Sequence, residues 1–330
     1  MRMTTLRVGT RGSQLALFQA NAVAGLLHAR AGTSCEIVVI RTSGDRLADA
    51  ALAQIGGKRL FVKEIEDALL AGSIDLAVHS SKDMPALLPG GLAIGAMLPR
   101  EDARDAVVLP AAAGPRPQAS GLSLEDVVRR LGEAPRIGTS SVRRTAQLAR
   151  LFPNARFEPI RGNLDTRLRK LDAGGLDALV LAAAGLRRLG YKDRISALLP
   201  PEACVPAPGQ GIIAVEIRSG DDEVRRAVEP IGDRAAAAAL TAERAVVARL
   251  GGGCQMPIGA YAAAAGDELS LTAIVVSLDG ARAARAQATG LMTDAGHIGA
   301  RAAERLLAEG AADILADVER ARAAVEGLQP

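Results

Sequence analysis

Strand-like and helix-like segments alternate through the first two thirds of the chain. This alternation predicts an α/β protein with mostly parallel, helix-covered sheets. Two further observations complete the prediction. The 330 residues are too many for one ordinary core, and proline- and glycine-rich breaks near 99–105 and 200–211 divide the α/β part into two domains. Beyond residue 231, a hairpin pattern and two helical stretches predict a small α+β domain.

The elements follow in order. Residues 6–10 are a short strand-like run. Ser13 caps a helix to about residue 30, with Leu17, Ala20, Ala24 and Leu27 on one face. Residues 36–42 are β-branched and strand-like, 62–70 helical, and 76–79 and 92–97 short strands. Residues 99–105 form a charged break, and 110–118 an Ala/Pro/Gly loop expected to be mobile. A second set begins with a strand edge at 136–138 and a helix over 141–151. It continues with a strand at 157–160, a helix over 163–173, a strand at 178–181 and a helix to about 189. Val8-Gly9-Thr10 before Ser13 is echoed by Ile137-Gly138-Thr139 before Ser141, which suits two domains of like topology. Residues 212–217 read as a buried strand and 235–250 as a helix. Then 269–277 and 281–289 form a hairpin with a two-residue turn at Asp279-Gly280, and helices lie near 298–307 and 314–325. The expected domains are 1–100 with 206–230, 101–205, and 231–330.

Charge narrows the function classes. Residues 1–100 carry 11 basic and 8 acidic groups, 101–200 carry 17 and 11, and 201–330 carry 12 and 18. A basic middle beside an acidic end points to a focused anion site, not a nucleic-acid surface. With no Trp, two Tyr and four Phe, stacking platforms for single strands are scarce. Three widely separated histidines argue against a histidine-built metal site, and three cysteines, few and odd in number, argue against a disulfide framework. No apolar run has the length of a membrane span, and the N-terminus lacks a signal-peptide core, so the expected location is the cytoplasm.

Three motifs carry the chemistry. Gly138-Thr139-Ser140-Ser141-Val142-Arg143-Arg144 joins a strand end to a helix start, where free N–H groups and the dipole favour an anion. Arginines oppose that dipole, so an anionic ligand is the expected reason for two of them. Arg11 and Arg161 lie at other strand ends, with Arg167 one turn into the helix that follows Arg161. Arg11, Arg143, Arg144 and Arg161 can converge on one cleft, joined by Arg188 unless that residue serves only the dipole at its helix end. Asp83, in Val78-His79-Ser80-Ser81-Lys82-Asp83-Met84-Pro85, is the candidate acid/base carboxylate. Cys254 follows three glycines, an arrangement suited to an accessible thiol for covalent attachment. On its own, a glycine helix stop before a small buried residue accounts for that segment equally well.

Together these segments resemble the porphobilinogen deaminase family. The resemblance is carried by Thr10-Arg11-Gly12-Ser13-Gln14-Leu15-Ala16, Gly56-Gly57-Lys58, the two motifs around Asp83 and Ser141, and Arg161-Gly162-Asn163. Ala182-Ala183-Ala184-Gly185-Leu186, Pro208-Gly209-Gln210-Gly211 and Gly252-Gly253-Cys254 extend it to about residue 261. It implies two domains like type II periplasmic binding proteins, plus a third carrying the cysteine. It also implies a dipyrromethane cofactor bound to Cys254 by a thioether, and four porphobilinogen units joined with loss of ammonia to give hydroxymethylbilane. By the match, Lys82, Thr139, Ser141, Arg143 and Arg144 hold the cofactor carboxylates. Arg11, Ser13, Arg161, Arg167 and Arg188 hold the incoming ring or chain, and Asp83 is catalytic. The implied partners are porphobilinogen and the growing polypyrrole, with no nucleic acid or membrane; the implied state is a monomer. Arg59 and Met256 depart from the family pattern without removing a catalytic group. A non-catalytic anion-binding protein on the same fold, or the sensing domain of a transcription regulator, are the competing readings.

Overall fold

A computed structural model describes residues 5–42, 62–111, 122–251 and 256–327. The first lobe begins with β1 (Leu6–Thr10), α1 (Gln14–Ala31) and β2 (Cys35–Val39). It continues through α2 (Lys63–Leu70), β3 (Leu76–Ser80) and β4 (Leu92–Met97). The chain then crosses to β5 (Asp105–Val108), α3 (Leu124–Leu131), β6 (Arg136–Gly138), α4 (Val142–Ala149) and β7 (Arg156–Glu158). The second lobe ends with α5 (Leu164–Asp172), β8 (Ala178–Ala182), α6 (Ala183–Arg188) and β9 (Ala197–Leu199). A second crossover returns it to β10 (Ile213–Arg218) and α7 (Asp222–Val228). The last part is α8 (Arg234–Arg249), β11 (Ile258–Ala265), β12 (Glu268–Val276), β13 (Ala283–Leu291), α9 (Ala295–Ala308) and α10 (Ala311–Gly327).

The two large sheets share one plan. Their strand orders are β2-β1-β3-β10-β4 and β7-β6-β8-β5-β9. In each, the first three strands are parallel, and the fourth runs antiparallel to its neighbour. That fourth strand, β10 or β5, is the one that has just arrived through a crossover. The fold is therefore two α/β lobes of like topology with a small α+β domain, as expected from the alternation.

The Gly-Thr echo has a steric origin. Gly9 and Gly138 occupy equivalent strands, β1 and β6. A Cβ on Gly9 would overlap Ile74 Cδ1, and one on Gly138 would overlap Leu179 Cδ2. Each strand then leads to a serine-capped helix. Ser13 Oγ accepts from Ala16 N at 3.3 Å, and Ser141 Oγ accepts from Arg144 N at 3.4 Å.

Core packing follows the pattern of the strands. In the first lobe Val8, Leu76, Val78, Val215 and Ile217 bury against Ala20, Val23 and Leu27 of α1. In the third domain, α8, α9 and α10 cover one face of the β11-β12-β13 meander through Val246, Ile298, Ala302, Leu306 and Ile314.

Several elements differ from the sequence reading. Strand β5 lies where a charged break runs into a loop, because four buried residues flanked by arginines and prolines carry too little periodicity to register. Helices α3 and α7 and strands β9 and β11 were not foreseen either; β9 has three residues, and β11 is mostly alanine, with Ile258 and Tyr261 its only strand-favouring residues. The hairpin connection is longer than two residues. Val276 pairs with Ala283, and Ser277 N donates to Arg282 O at 2.9 Å across the loop containing Asp279-Gly280. Most of the 110–118 loop, and the segment with Gly56, Gly57, Lys58 and Arg59, fall outside the described residues. Among the described residues, no helix is long and apolar enough to cross a membrane.

Candidate active site between the lobes

The parallel strands place their carboxyl ends at one edge of each lobe, where ligands bind in open α/β sheets. In the first lobe, Arg11 and Ser13 follow β1. Ser81, Lys82 and Asp83 form a 3-10 turn directly after its neighbour β3. Gln19 of α1 braces this edge, donating from Nε2 to Ser80 Oγ at 2.7 Å. In the second lobe, Thr139, Ser140 and Ser141 follow β6, Arg161 follows β7, and α6 follows β8. Thr139 is buried and its Oγ1 accepts from Ser141 N at 3.3 Å; Ser140 Oγ donates to Ile160 O at 2.7 Å. These bonds fix the loop and helix start.

The two edges face each other. Arg167 of α5 feels the charge of Asp83 across the cleft and the like charge of Arg144 beside it. Burial, and then that like charge, hold the Arg167 pKa below the usual arginine value. Arg188 is lowered by burial too, and its Nη2 donates to Gly211 O at 2.6 Å on the second crossover. The lobes touch where Leu15 of α1 reaches to 3.9 Å from the position of a Cβ on Gly185 of α6.

Arg143 and Arg144 behave differently from their neighbours. Both are buried, and both pair with Asp105, at 2.8 Å each. The counter-charge expected from a ligand is thus supplied in part by a carboxylate of the chain. Arg143 is turned inward: Nη1 donates to Val205 O at 2.7 Å and contacts Cys204 Sγ at 3.5 Å. Its Nε is buried without a partner among the described residues. Arg144 bonds Asp105 through Nε and Nη2 and Val180 O through Nη1, which leaves two of its five donors. Burial opposes the charged form of Asp105, but the two arginines overcome it and hold its carboxyl far below the usual range. The two buried arginines and Asp105 together still carry one net positive charge.

Asp105 and Cys204 were not singled out in the sequence, and Gln210 stood only inside the Pro208-Gly209-Gln210-Gly211 motif, with no role. They are separated from Arg143 by 38, 61 and 67 positions, and no local spacing links them. Cys254, at 252–255, lies outside the described residues.

The donor set fits a polycarboxylate. Partly desolvated guanidinium groups, Arg167 and Arg188, stand at the second lobe's edge, and on the first lobe Ser81 Oγ is buried with no hydrogen-bond partner among the described residues, beside Asp83. The fold and cleft define a two-lobed α/β protein with a cationic site between its lobes and a third domain attached.

A family model described as "Porphobilinogen deaminase, dipyromethane cofactor binding domain" matches residues 6–226, and one described as "Porphobilinogen deaminase, C-terminal domain" matches 237–308. The chain is 46% identical over 322 residues to the porphobilinogen deaminase of Geobacter metallireducens, covering 97% of each. It is 45% identical to that of Syntrophobacter fumaroxidans over 317 residues, 96% of this chain and 98% of the relative. An ancestral cationic amino acid solute binding protein is similar in structure, with a TM-score of 0.41 and 16% identity over 68% of this chain and 86% of its own. The chain belongs to the porphobilinogen deaminase family. Its activity is the family's: porphobilinogen units are condensed with loss of ammonia on a dipyrromethane cofactor, for tetrapyrrole biosynthesis.

Proposed function

We propose that Asp83 is the catalytic carboxylate of this transferase reaction, and that the arginine-lined strand edges bind the acid groups of cofactor and substrate. The convergence of Asp83, Arg167 and Arg144 across the lobes carries this reading. The dipyrromethane, when bound, supplies a nucleophilic pyrrole carbon and a set of carboxylates. Lys82, Thr139, Ser141 and Arg144 would hold those carboxylates, with Arg143 adding fixed charge from behind Asp105, and Cys254 would form the thioether. Arg11, Ser13, Arg161, Arg167 and Arg188 would hold the incoming porphobilinogen or the growing chain.

Asp83 accepts a hydrogen bond from a pyrrole N–H, stabilises the positive charge that develops on the substrate ring as ammonia leaves, and helps move protons at that ring. The surrounding arginines keep the site positive, so successive acidic units are drawn in. The domain division 1–100 with 206–230, 101–205, and 231–330 belongs to this reading, as do a cytoplasmic monomer and the absence of nucleic-acid partners. The sheet plan, with β10 returned to the first lobe, supports that division.

Intact mass of the denatured protein, followed by peptide mapping, tests the assignment. An increment of two linked pyrroles on Cys254 is expected, and an apo preparation should acquire it from porphobilinogen. A chain that binds porphobilinogen reversibly and never gains the adduct is a binding protein, and the catalytic reading fails.

A further inference from the structure

Asp105 stands where the first crossover ends and β5 begins, beneath the start of α4. It is wholly buried. One carboxylate oxygen accepts from Arg144 Nε at 3.0 Å, Arg144 Nη2 at 2.8 Å and Gln210 Nε2 at 2.9 Å. The other lies 2.8 Å from Arg143 Nη2 and accepts from Cys204 Sγ at 3.4 Å. Gln210 and Cys204 both belong to the second crossover. Gln210 also donates to Ala103 O at 2.6 Å on the first crossover, and its own carbonyl accepts from Arg100 Nε at 2.8 Å.

A buried counter-ion for two arginines needs none of the crossover contacts. Here one carboxylate is shared between the arginine that retains free donors and both segments about which the lobes are joined. Gln210 sits between Gly209 and Gly211, which have φ of 73° and 91°. A Cβ at Gly211 would collide with Glu101 O. The crossovers are therefore packed backbone against backbone, and Glu101 N donates to Gly211 O at 3.1 Å. A change in their relative position must move Gln210, and with it the carboxylate that orients Arg144.

We propose that Asp105 is a positioning residue that couples the orientation of Arg144 to the two crossovers, so that the anion cradle and the hinge shift together as the bound chain lengthens. This rests on the assignment of Arg144 to the cofactor cradle. The carboxylate is unlike a surface ion pair: its donors come from two separate segments, the start of α4 and the second crossover, and it is out of reach of solvent screening.

Three variants of the full-length chain, prepared without cofactor, test the coupling: Asp105→Asn, Gln210→Met and Arg144→Ala. The first readout is the rate at which denatured intact mass shows acquisition of two pyrroles from porphobilinogen. The second is the distribution of longer adducts during turnover, with kcat and KM measured separately. Asp105→Asn should fold, by near-ultraviolet circular dichroism, and load at least tenfold more slowly. Gln210→Met removes the crossover link without uncovering a charge. It should load at the wild-type rate, but accumulate short adducts, with kcat several-fold lower and KM unchanged. A folded Asp105→Asn that loads normally, or a Gln210→Met with the wild-type adduct distribution and kcat, overturns the proposal. If Asp105→Asn fails to fold, Gln210→Met decides alone. Normal loading by Arg144→Ala would sink the cradle assignment itself. Slow loading by Arg144→Ala, with wild-type behaviour in the other two, would remove only the coupling.

Discussion

Arg100 and Glu243 form a two-pronged ion pair, with Nη1 at 2.6 Å and Nη2 at 3.3 Å from the two carboxylate oxygens. Glu243, on α8, is fully buried. Its oxygens also accept from Gly209 N and Ala262 N, at 2.6 and 2.7 Å. Arg100 lies over the Tyr261 ring at 4.9 Å. The pair thus pins the first crossover, the second crossover and the first strand of the third domain to one point. Replacing Glu243 with Ala leaves a largely buried guanidinium without its counter-charge, bonded only to the carbonyls of Gln210 and Ala262, and strips two N–H groups of their acceptor. The expected loss of stability is about 3–5 kcal/mol, to be read from urea unfolding. Loss of less than 1 kcal/mol would mean that the pair behaves as if it were solvated.

Asp83→Asn should keep the fold, because the side chain sits in a half-buried turn at the cleft and not in a core. Porphobilinogen consumption should fall by about two orders of magnitude or more, the range expected for loss of an acid/base group. Near-normal turnover would remove the carboxylate from the chemistry.

Cys204 should be silent toward thiol reagents in the native protein. Burial first, and the adjacent Asp105 carboxylate second, push its thiol up to about 12. At pH 8 the thiolate fraction is then about one in ten thousand. Iodoacetamide should label Cys204 only after unfolding, and Cys204→Ala should acquire dipyrromethane as the wild type does. Rapid native labelling would contradict the buried, proton-holding environment.

Asp105 also sets an acid limit. Its folded pKa is depressed, so the unfolded chain binds the extra proton in the interval between the two values. The stabilisation is complete above about 3.9, the ordinary aspartate value, and is lost as pH falls from there toward the folded pKa. The stability advantage of wild type over Asp105→Asn should therefore be undiminished from pH 7 to 5 and shrink below pH 4. An advantage that stays constant down to pH 2.5 would show that the charge of Asp105 is not what stabilises the fold.

The strand ends that frame the cleft were legible because local rules produce them. Ser13 and Ser141 cap helices, Gly9 and Gly138 make room for neighbours, and Asp83 follows a strand of four buried residues and one half-buried residue. The arginines were visible as residues out of place for a helix dipole. Their partner was not. Asp105 reaches Arg143 and Arg144 only through the sheet order that sets β5 beside β8, and that order is a property of the whole chain. Strand β5 itself was hidden for the same reason: its stability comes from pairing with β8 and β9, not from its four residues.

The return of β10 to the first lobe has a consequence for synthesis. This strand lies between β3 and β4, which do not otherwise pair. A nascent chain that has emerged only as far as Met97 holds two strands with nothing to bridge them. The vacancy persists until residues 213–218 leave the ribosome, after the whole second lobe has been made, a delay of about ten seconds at ordinary translation rates. The second lobe has no such wait, since β5 precedes the strands that flank it. The later-made lobe should therefore be first to reach its native sheet, and the amino-terminal half should be the one that chaperones hold.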